Sequence, residues 1–510
     1  MALQKPSKLA STTETRQMEL SSLETGSNSS NMDSVAFPTA TTGITDPQFI
    51  HDLPVELLYE IFLWAIQENP VADTNSILTP WALSHVCRQW RHVAISFPCL
   101  WSTIHVASTR ETPRHCFSIN DTEGLGTALR RSGTTALTLR LEFPDLELSA
   151  GSLRAHEFLK TLAPASPRWK DITMSAPLSV FHELFERVGF GALPLLQSIH
   201  FEVTSGSYWG AIPATSRLTD TFQTAPILHS VTMFPFLAIR LPSSVKELTT
   251  KDLTQNELSS IIHDLPHLAI LNLVGLRAWH AIGWAPPPQV HTTLSQIEIE
   301  SAQDLSHFTL PTLTHLRLLK PFCSSPQSPN WKTNFSLDTL KRFIFRSACS
   351  ISYLHLRIHE AGPDVTGILS VLVDTTILRV DVTNHYAYGD LLKALRSREA
   401  LLLPKLDTLE FFGVKMSERH FETVLGLVQY RWNHPVLRRI KRVYVENGPL
   451  VYEDGYDRLD ETIGPLAIED DTFTLEGLDG TNLIQHYDGS LRLAKSAVVQ
   501  RWKRQSDRHY

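Results

Sequence analysis

Two hydrophobic rhythms divide the chain. Between His51 and Trp101 apolar residues recur at helical spacing. Leu57, Leu58, Ile61, Phe62 and Ala65 make a wide apolar face for one helix. Pro54 suits its first turn, and Glu56 lies near the positive end of its dipole. Thr79-Pro80 opens a second helix, lined by Leu83, Val86, Cys87, Trp90, Val93 and Ala94 and stopped by Pro98. About fifty residues form a marginal core, and these helices carry more large apolar residues than they can bury alone.

Further on, a different phrase returns. Leu193-Pro194-x-Leu196-x-x-Ile199-x-Phe201 is repeated at Leu265 to Leu273, Leu310 to Leu318 and Leu403 to Phe411. Looser copies occur at Leu228, Val231 and Met233; at Leu294, Ile297 and Ile299; at Leu337, Leu340, Phe343 and Phe345; and at Leu437, Ile440 and Val443. The closing alternation marks a short strand with one face inward. Helical stretches such as Asn256 to Ile262 and Phe421 to Tyr430 lie between copies. Intervals of about twenty to forty residues centre near the leucine-rich repeat period. A helix and a strand, repeated, bury their apolar faces only by stacking on neighbours. Ala136 to Phe143 and Arg168 to Met174 read as earlier strands, preceded by helices over Leu125 to Ser132 and His156 to Leu162.

The run from His51 to Trp101 resembles the F-box. Leu53-Pro54, Glu56, Leu58, Ile61-Phe62, Val86-Cys87-Arg88-x-Trp90-Arg91 and Leu100-Trp101 carry the resemblance, and the gap from Gln67 to Thr79 is longer than in the shortest members. The fold class expected is α/β: an N-terminal helical F-box followed by an irregular leucine-rich-repeat-like solenoid, in which the usual turn Asn is mostly absent. The expected divisions are a disordered Ser/Thr-rich tail over 1–45, the F-box over 46–106, the repeat array over 107–447, and an acidic segment with a C-terminal basic helix over 448–510.

The resemblance implies a substrate adaptor of a cullin–RING ubiquitin ligase. Its F-box would dock on a Skp-type linker protein and through it a cullin, while the array holds an unknown protein substrate. Leu53, Pro54, Leu57, Leu58, Ile61, Phe62, Val86, Cys87 and Trp90 are expected in or beneath the linker-binding surface. Leu53, Pro54 and Leu58 are expected as contacts and Trp90 as core; Leu57 and Ile61 also fit a core role. On the array, residues between inward positions nominate a substrate surface of His200, Glu202, Asn272, His315, Arg317, Arg346, Thr408 and Glu410. The alternatives are a scaffold outside a ligase, or a solenoid interaction module whose helices merely cap it.

Composition adds exclusions. A net charge of −7 over 510 residues gives no global case for nucleic-acid binding. No run is apolar enough to span a bilayer, and no secretory start is present. Five scattered cysteines read as reduced, which suggests a cytoplasmic or nuclear location. His85, Cys87 and His92 fit no closed zinc pattern, and Gly124-x-Gly126 is no dinucleotide loop. With no P-loop and no nucleophile elbow, neither enzyme, metal nor cofactor is expected.

Overall fold

The structure is a computed structural model that describes residues 53–67, 80–107, 117–118, 122–143, 153–188, 193–204, 218–237, 239–276, 288–300, 302–322, 337–358, 363–397, 401–413, 416, 418–446, 474–476, 484–487 and 490–493. The chain divides into two compact units, 1–53 and 54–510. The tail expected over 1–45, and most of the acidic segment and basic helix, lie outside the described residues.

The second unit opens with α1 (Val55–Gln67), α2 (Pro80–Val86) and α3 (Arg88–Ser96). The single helix expected from Thr79 to Pro98 is two. Cys87 breaks it in an extended conformation, and its thiol accepts the Trp90 N–H at 3.4 Å as the N-cap of α3. Arg91 fixes the corner by donating to the Ser84 carbonyl at 2.8 Å. A short 3-10 turn, Pro98–Trp101, then leads straight into the first strand.

The strands are β1 (Thr103–Ala107), β2 (Phe117–Ser118), β3 (Leu137–Glu142), β4 (Trp169–Ala176), β5 (Ser198–Val203), β6 (Ser230–Phe234), β7 (Glu247–Leu253), β8 (Ile270–Leu276), β9 (Gln289–Val290) and β10 (Gln296–Ile299). They continue with β11 (Phe308–Thr309), β12 (His315–Phe322), β13 (Tyr353–Ile358), β14 (Ile377–Val382), β15 (Thr408–Gly413), β16 (Arg442–Val445), β17 (Thr474–Glu476), β18 (Ile484–Tyr487) and β19 (Ser490–Leu493). Apart from the small pairs β9–β11 and β18–β19, they form one fifteen-stranded sheet that follows the chain almost in order. All its pairings are parallel.

Register explains the phrase read in the sequence. Ile104, Leu139, Ile172, Ile199, Val231, Leu248, Leu271, Ile297, Leu316, Leu354, Leu378, Leu409 and Val443 pair strand to strand in one inward row. All of them are buried, and a second row runs two residues further on, from Val106 to Val445. Helices between strands cover this face: α4 (Thr122–Arg131), α5 (Leu153–Leu162), α6 (Leu178–Arg187), α7 (Leu218–Thr221), α8 (Gln255–Asp264), α9 (Leu337–Ser347), α10 (Pro363–Val371), α11 (His385–Leu395) and α12 (Glu418–Trp432). The other face of the sheet stays open and polar.

Several expectations are corrected. The copy expected at Leu337 to Phe345 is helix α9, which buries Leu340, Phe343 and Ser347 and leaves Phe345 91% exposed. The strand of that repeat is β13. Strands β1, β7 and β14 were not foreseen either, and residues 491–493 belong to β19 rather than to a basic helix.

Arginines, half-buried or buried, close the turns that enter the strands. Arg168 bonds Ser132, Leu129 and Gly133. Arg346 bonds the Phe308 and Leu305 carbonyls. Arg431 is fully buried and donates to the carbonyls of Leu403 at 2.6 Å and Leu402 at 3.3 Å. Burial lowers its pKa to about 10, so it is still charged at neutral pH. Leu403 holds φ at +48°, a left-handed conformation that costs about 1–2 kcal/mol in a residue with a side chain. Arg431→Met therefore strands the buried Leu402 carbonyl and leaves the Leu403 carbonyl only its bond from the Leu406 N–H, beside a strained turn. It is expected to lower stability by about 3 kcal/mol in a urea unfolding curve, and an unchanged midpoint contradicts this account of the turn.

Candidate functional site

Two surfaces stand out. The first is the outward stripe of α1. Leu57, Ile61 and Trp64 follow at i, i+4 and i+7 and are 51%, 48% and 64% exposed. Val86 and Ile95 add exposed apolar side chains on α2 and α3, which pack on α1. The inner side of α1 is Leu58 and Phe62, both buried. Phe62 meets Trp90 edge-on at 4.8 Å, and Tyr59 stacks on Phe97 at 4.2 Å.

Leu58 was expected to touch a partner. At 1% exposure it cannot, because the helix turns it inward beside Phe62. Leu57 and Ile61, which also fitted a core role, face outward instead. Pro54 is exposed just ahead of α1, its carbonyl accepting the Leu58 N–H; Leu53, Cys87 and Trp90 are half-buried.

These helices are anchored to the array. The Arg131 guanidinium, at the end of α4, lies over the Trp81 ring at 4.7 Å and over the Trp101 ring at 4.4 Å. The two indoles meet edge-on at 4.9 Å, and Trp101 Nε1 donates to the Ala94 carbonyl at 2.6 Å. Burial lowers the Arg131 pKa. Burying the positive charge is offset by two aromatic faces.

The second surface is the open face of the sheet. A row across it pairs His200, Thr232, Thr249, Asn272, Glu298, Arg317, His355, Arg379, Glu410 and Tyr444. Its members interlock from β10 to β16. Arg317 pairs with Glu298 at 2.6 Å and donates to His355 Nδ1 at 3.1 Å. His355 Nε2 lies 3.0 Å from Asp381, and Arg379 is 3.4 Å from the same carboxylate. Arg379 also lies 3.6 Å from the Phe412 ring centroid, Phe412 meets Tyr444 at 5.0 Å, and His315 stacks on Tyr353 at 5.3 Å. Rings and arginines held rigidly in one cluster are the side chains that dominate protein-binding surfaces.

Electrostatics follow the packing. Burial alone would raise the Asp381 pKa, but His355 and then Arg379 pull it below the ordinary carboxylate range. Burial raises the Tyr353 hydroxyl, with Arg379 opposing and Glu410 reinforcing. Burial also lowers His200 and His315, which favours neutral imidazoles.

Of the residues nominated for substrate, His200, Glu202, Asn272, His315, Arg317, Thr408 and Glu410 do lie on the open face. The structure brings His315, Arg317 and Glu410 into the β10–β16 cluster, while His200 and Glu202 sit far along the sheet beside Phe234. Arg346 is a correction: it lies on α9 and its guanidinium is spent on backbone carbonyls. Tyr353, His355, Arg379, Asp381, Phe412 and Tyr444 were missed. Tyr353 to Asp381 come from β13 and β14, whose turns lack the Leu-Pro signal. Among the described residues no group of three His, Cys, Asp or Glu side chains converges as a metal site.

No family model matches the sequence, and no curated protein sequence does. Among solved structures the chain is similar to a leucine-rich-repeat protein of Leptospira interrogans, at 11% identity over 69% of this chain and 98% of that one, with a TM-score of 0.21. The repeat character therefore stands on the observed strand order and inward rows.

A depressed carboxylate contributes stability above about pH 4, lost as pH falls through its folded value. Asp381 makes such a contribution through His355 and Arg379. The near-ultraviolet tyrosine signal is expected to weaken on acidification below about pH 4. Asp381→Asn should weaken it already at neutral pH and flatten the acid limb. A variant with the wild-type acid profile contradicts this role.

Proposed function

We propose that the chain is the substrate-recognition adaptor of a cullin–RING ubiquitin ligase. Its N-terminal helices act as an F-box that docks a Skp-type linker, and its open sheet face holds the protein substrate. The observation that carries this reading is the uncovered stripe Leu57, Ile61 and Trp64 on α1, with exposed Val86 and Ile95 on the helices packed against it. Large apolar side chains at spaced positions on one helix face are what helix-docking interfaces use as anchors. The F-box-like residues of the sequence supply the choice of partner.

On this reading the chemistry is proximity. The chain needs no catalytic residue of its own, because holding a substrate near a ligase-bound ubiquitin donor raises the effective concentration of its lysines. Arg131, over the Trp81 and Trp101 rings, joins the docking helices to the array.

A second reading has an observation in its favour: the helices run directly into β1 and are clamped to α4, as a solenoid cap would be. A cap alone leaves the exposed stripe without a role. A scaffold acting outside a ligase would bind the linker but not recruit a cullin, so reconstitution with cullin separates that case.

The test is capture of purified linker by the full chain and by the double variant Leu57→Asp/Ile61→Asp. Both side chains are about half exposed, so the variant is expected to melt close to wild type. Its affinity for the linker should fall at least about thirtyfold. Equal capture by both chains overturns the docking assignment, and no capture by folded wild type overturns the adaptor reading.

A further inference from the structure

The open-face cluster contains one carboxylate that no described residue neutralises. Glu298 has Arg317, and Asp381 has His355 and Arg379. Glu410, next along the same row on β15, forms no ion pair and no hydrogen bond among the described residues. Its neighbour Arg379 is turned to Asp381 and the Phe412 ring. Thr408 donates to Asp407, so its hydroxyl does not serve Glu410 either. Arg442, opposite Thr408 on β16, is exposed.

The surroundings of Glu410 form a trough. In register, Tyr353, Ile377 and Thr408 lie side by side on β13, β14 and β15, and Glu410 is flanked by Arg379 and Tyr444. The shorter Ile377 and Thr408 make a floor that Tyr353 bounds on β13 and Arg442 on β16, while Tyr444 stands two residues further along β16, beside Glu410. Tyr444 is backed by Phe412. Apart from Arg442, all of these side chains are half-buried, so the trough is open to a partner yet partly shielded from water.

We propose that this trough receives a lysine or arginine side chain from a partner polypeptide, its aliphatic stem on Ile377 beside Tyr353 and its charged head on Glu410 beside Tyr444. Aromatic faces beside an unpaired carboxylate favour a cation twice, through the ring quadrupoles and through direct charge. The carboxylate disfavours phosphate and acidic segments. A polypeptide fits better than a free amine because the row runs on from Glu410 through Arg379, His355, Arg317 and Glu298 to Asn272, Thr249 and Thr232, a polar track long enough for an extended main chain. The inference rests on reading the open face as the substrate surface, and it adds the class of side chain recognised there.

The experiment measures fluorescence anisotropy of three sets of equal-length synthetic peptides, basic, acidic and uncharged, against the full chain. The basic set is expected to bind at least about tenfold more tightly than the acidic set. Glu410→Gln should remove the preference and Glu410→Arg should reverse it. Glu247→Gln, a change at an exposed carboxylate on β7 outside the trough, should leave it intact. Melting curves check that each variant folds; Glu410→Gln keeps the side-chain shape and is the decisive one. Binding of no set, equal binding of all sets, or a preference that survives Glu410→Gln overturns the inference. Linker capture is measured on the same proteins. A chain that captures linker but shows no Glu410-dependent preference refutes this trough alone, and one that prefers basic peptides but ignores linker refutes the adaptor reading alone.

Discussion

Everything in this protein depends on the inward register of its parallel sheet. Each strand is four to eight residues long over most of the array and points only two or three side chains inward, far too little apolar surface to fold by itself. Pairing Ile104 through Val443 in one unbroken row places each apolar side chain against those of both neighbouring strands. A slip of one residue would turn that row to water and bring arginines and carboxylates into the core. The register therefore fixes both faces at once: the row that buries Leu354, Leu378 and Leu409 is also what aligns His355, Arg379 and Glu410 on the other side.

The same constraint governs the ends and turns. At the N-terminal side three helices lead into β1, the strand next to the edge strand β2, and are held on α4 by Arg131 between two indoles. Turns into the strands are drawn tight by Arg168, Arg346 and the buried Arg431, which donate to carbonyls of those turns. At the far edge of β15, Gly413 has φ +92°, and a Cβ there would run into the Val382 carbonyl oxygen, so only glycine lets β14 and β15 stay in step.

Where the inward pair was written in leucines behind a Leu-Pro turn, the strand was legible in the sequence, as at Ile199, Leu271, Leu316 and Leu409. The reading failed where chemistry departed from that phrase. Strand β7 has Thr250 at its second inward place, fully buried with an unpartnered hydroxyl, and a polar residue hides the alternation. Strand β13 enters from Ile351 without Leu-Pro, and Leu337 to Phe345 imitates the missing phrase with spacings that also fit a helix; the exposure of Phe345 shows which periodicity won. On α1 the apolar positions were legible but their direction was not. Leu57 and Leu58 are adjacent and equally hydrophobic, and only packing against Phe62 and Trp90 decides which one turns in. The interlocked open-face cluster joins residues from β10 to β16, so pairwise spacing in the sequence carried little sign of it.

The central claim is that one protein body presents two separate surfaces, a linker-docking stripe on α1 and a substrate face on the sheet. Amide hydrogen exchange of the full chain, with and without purified Skp-type linker, tests it most directly. The account predicts added protection over residues 54–67 and 80–96, with the strands from β10 to β16 unchanged. Protection spread over the open face, or none in a folded chain under saturating linker, would contradict it.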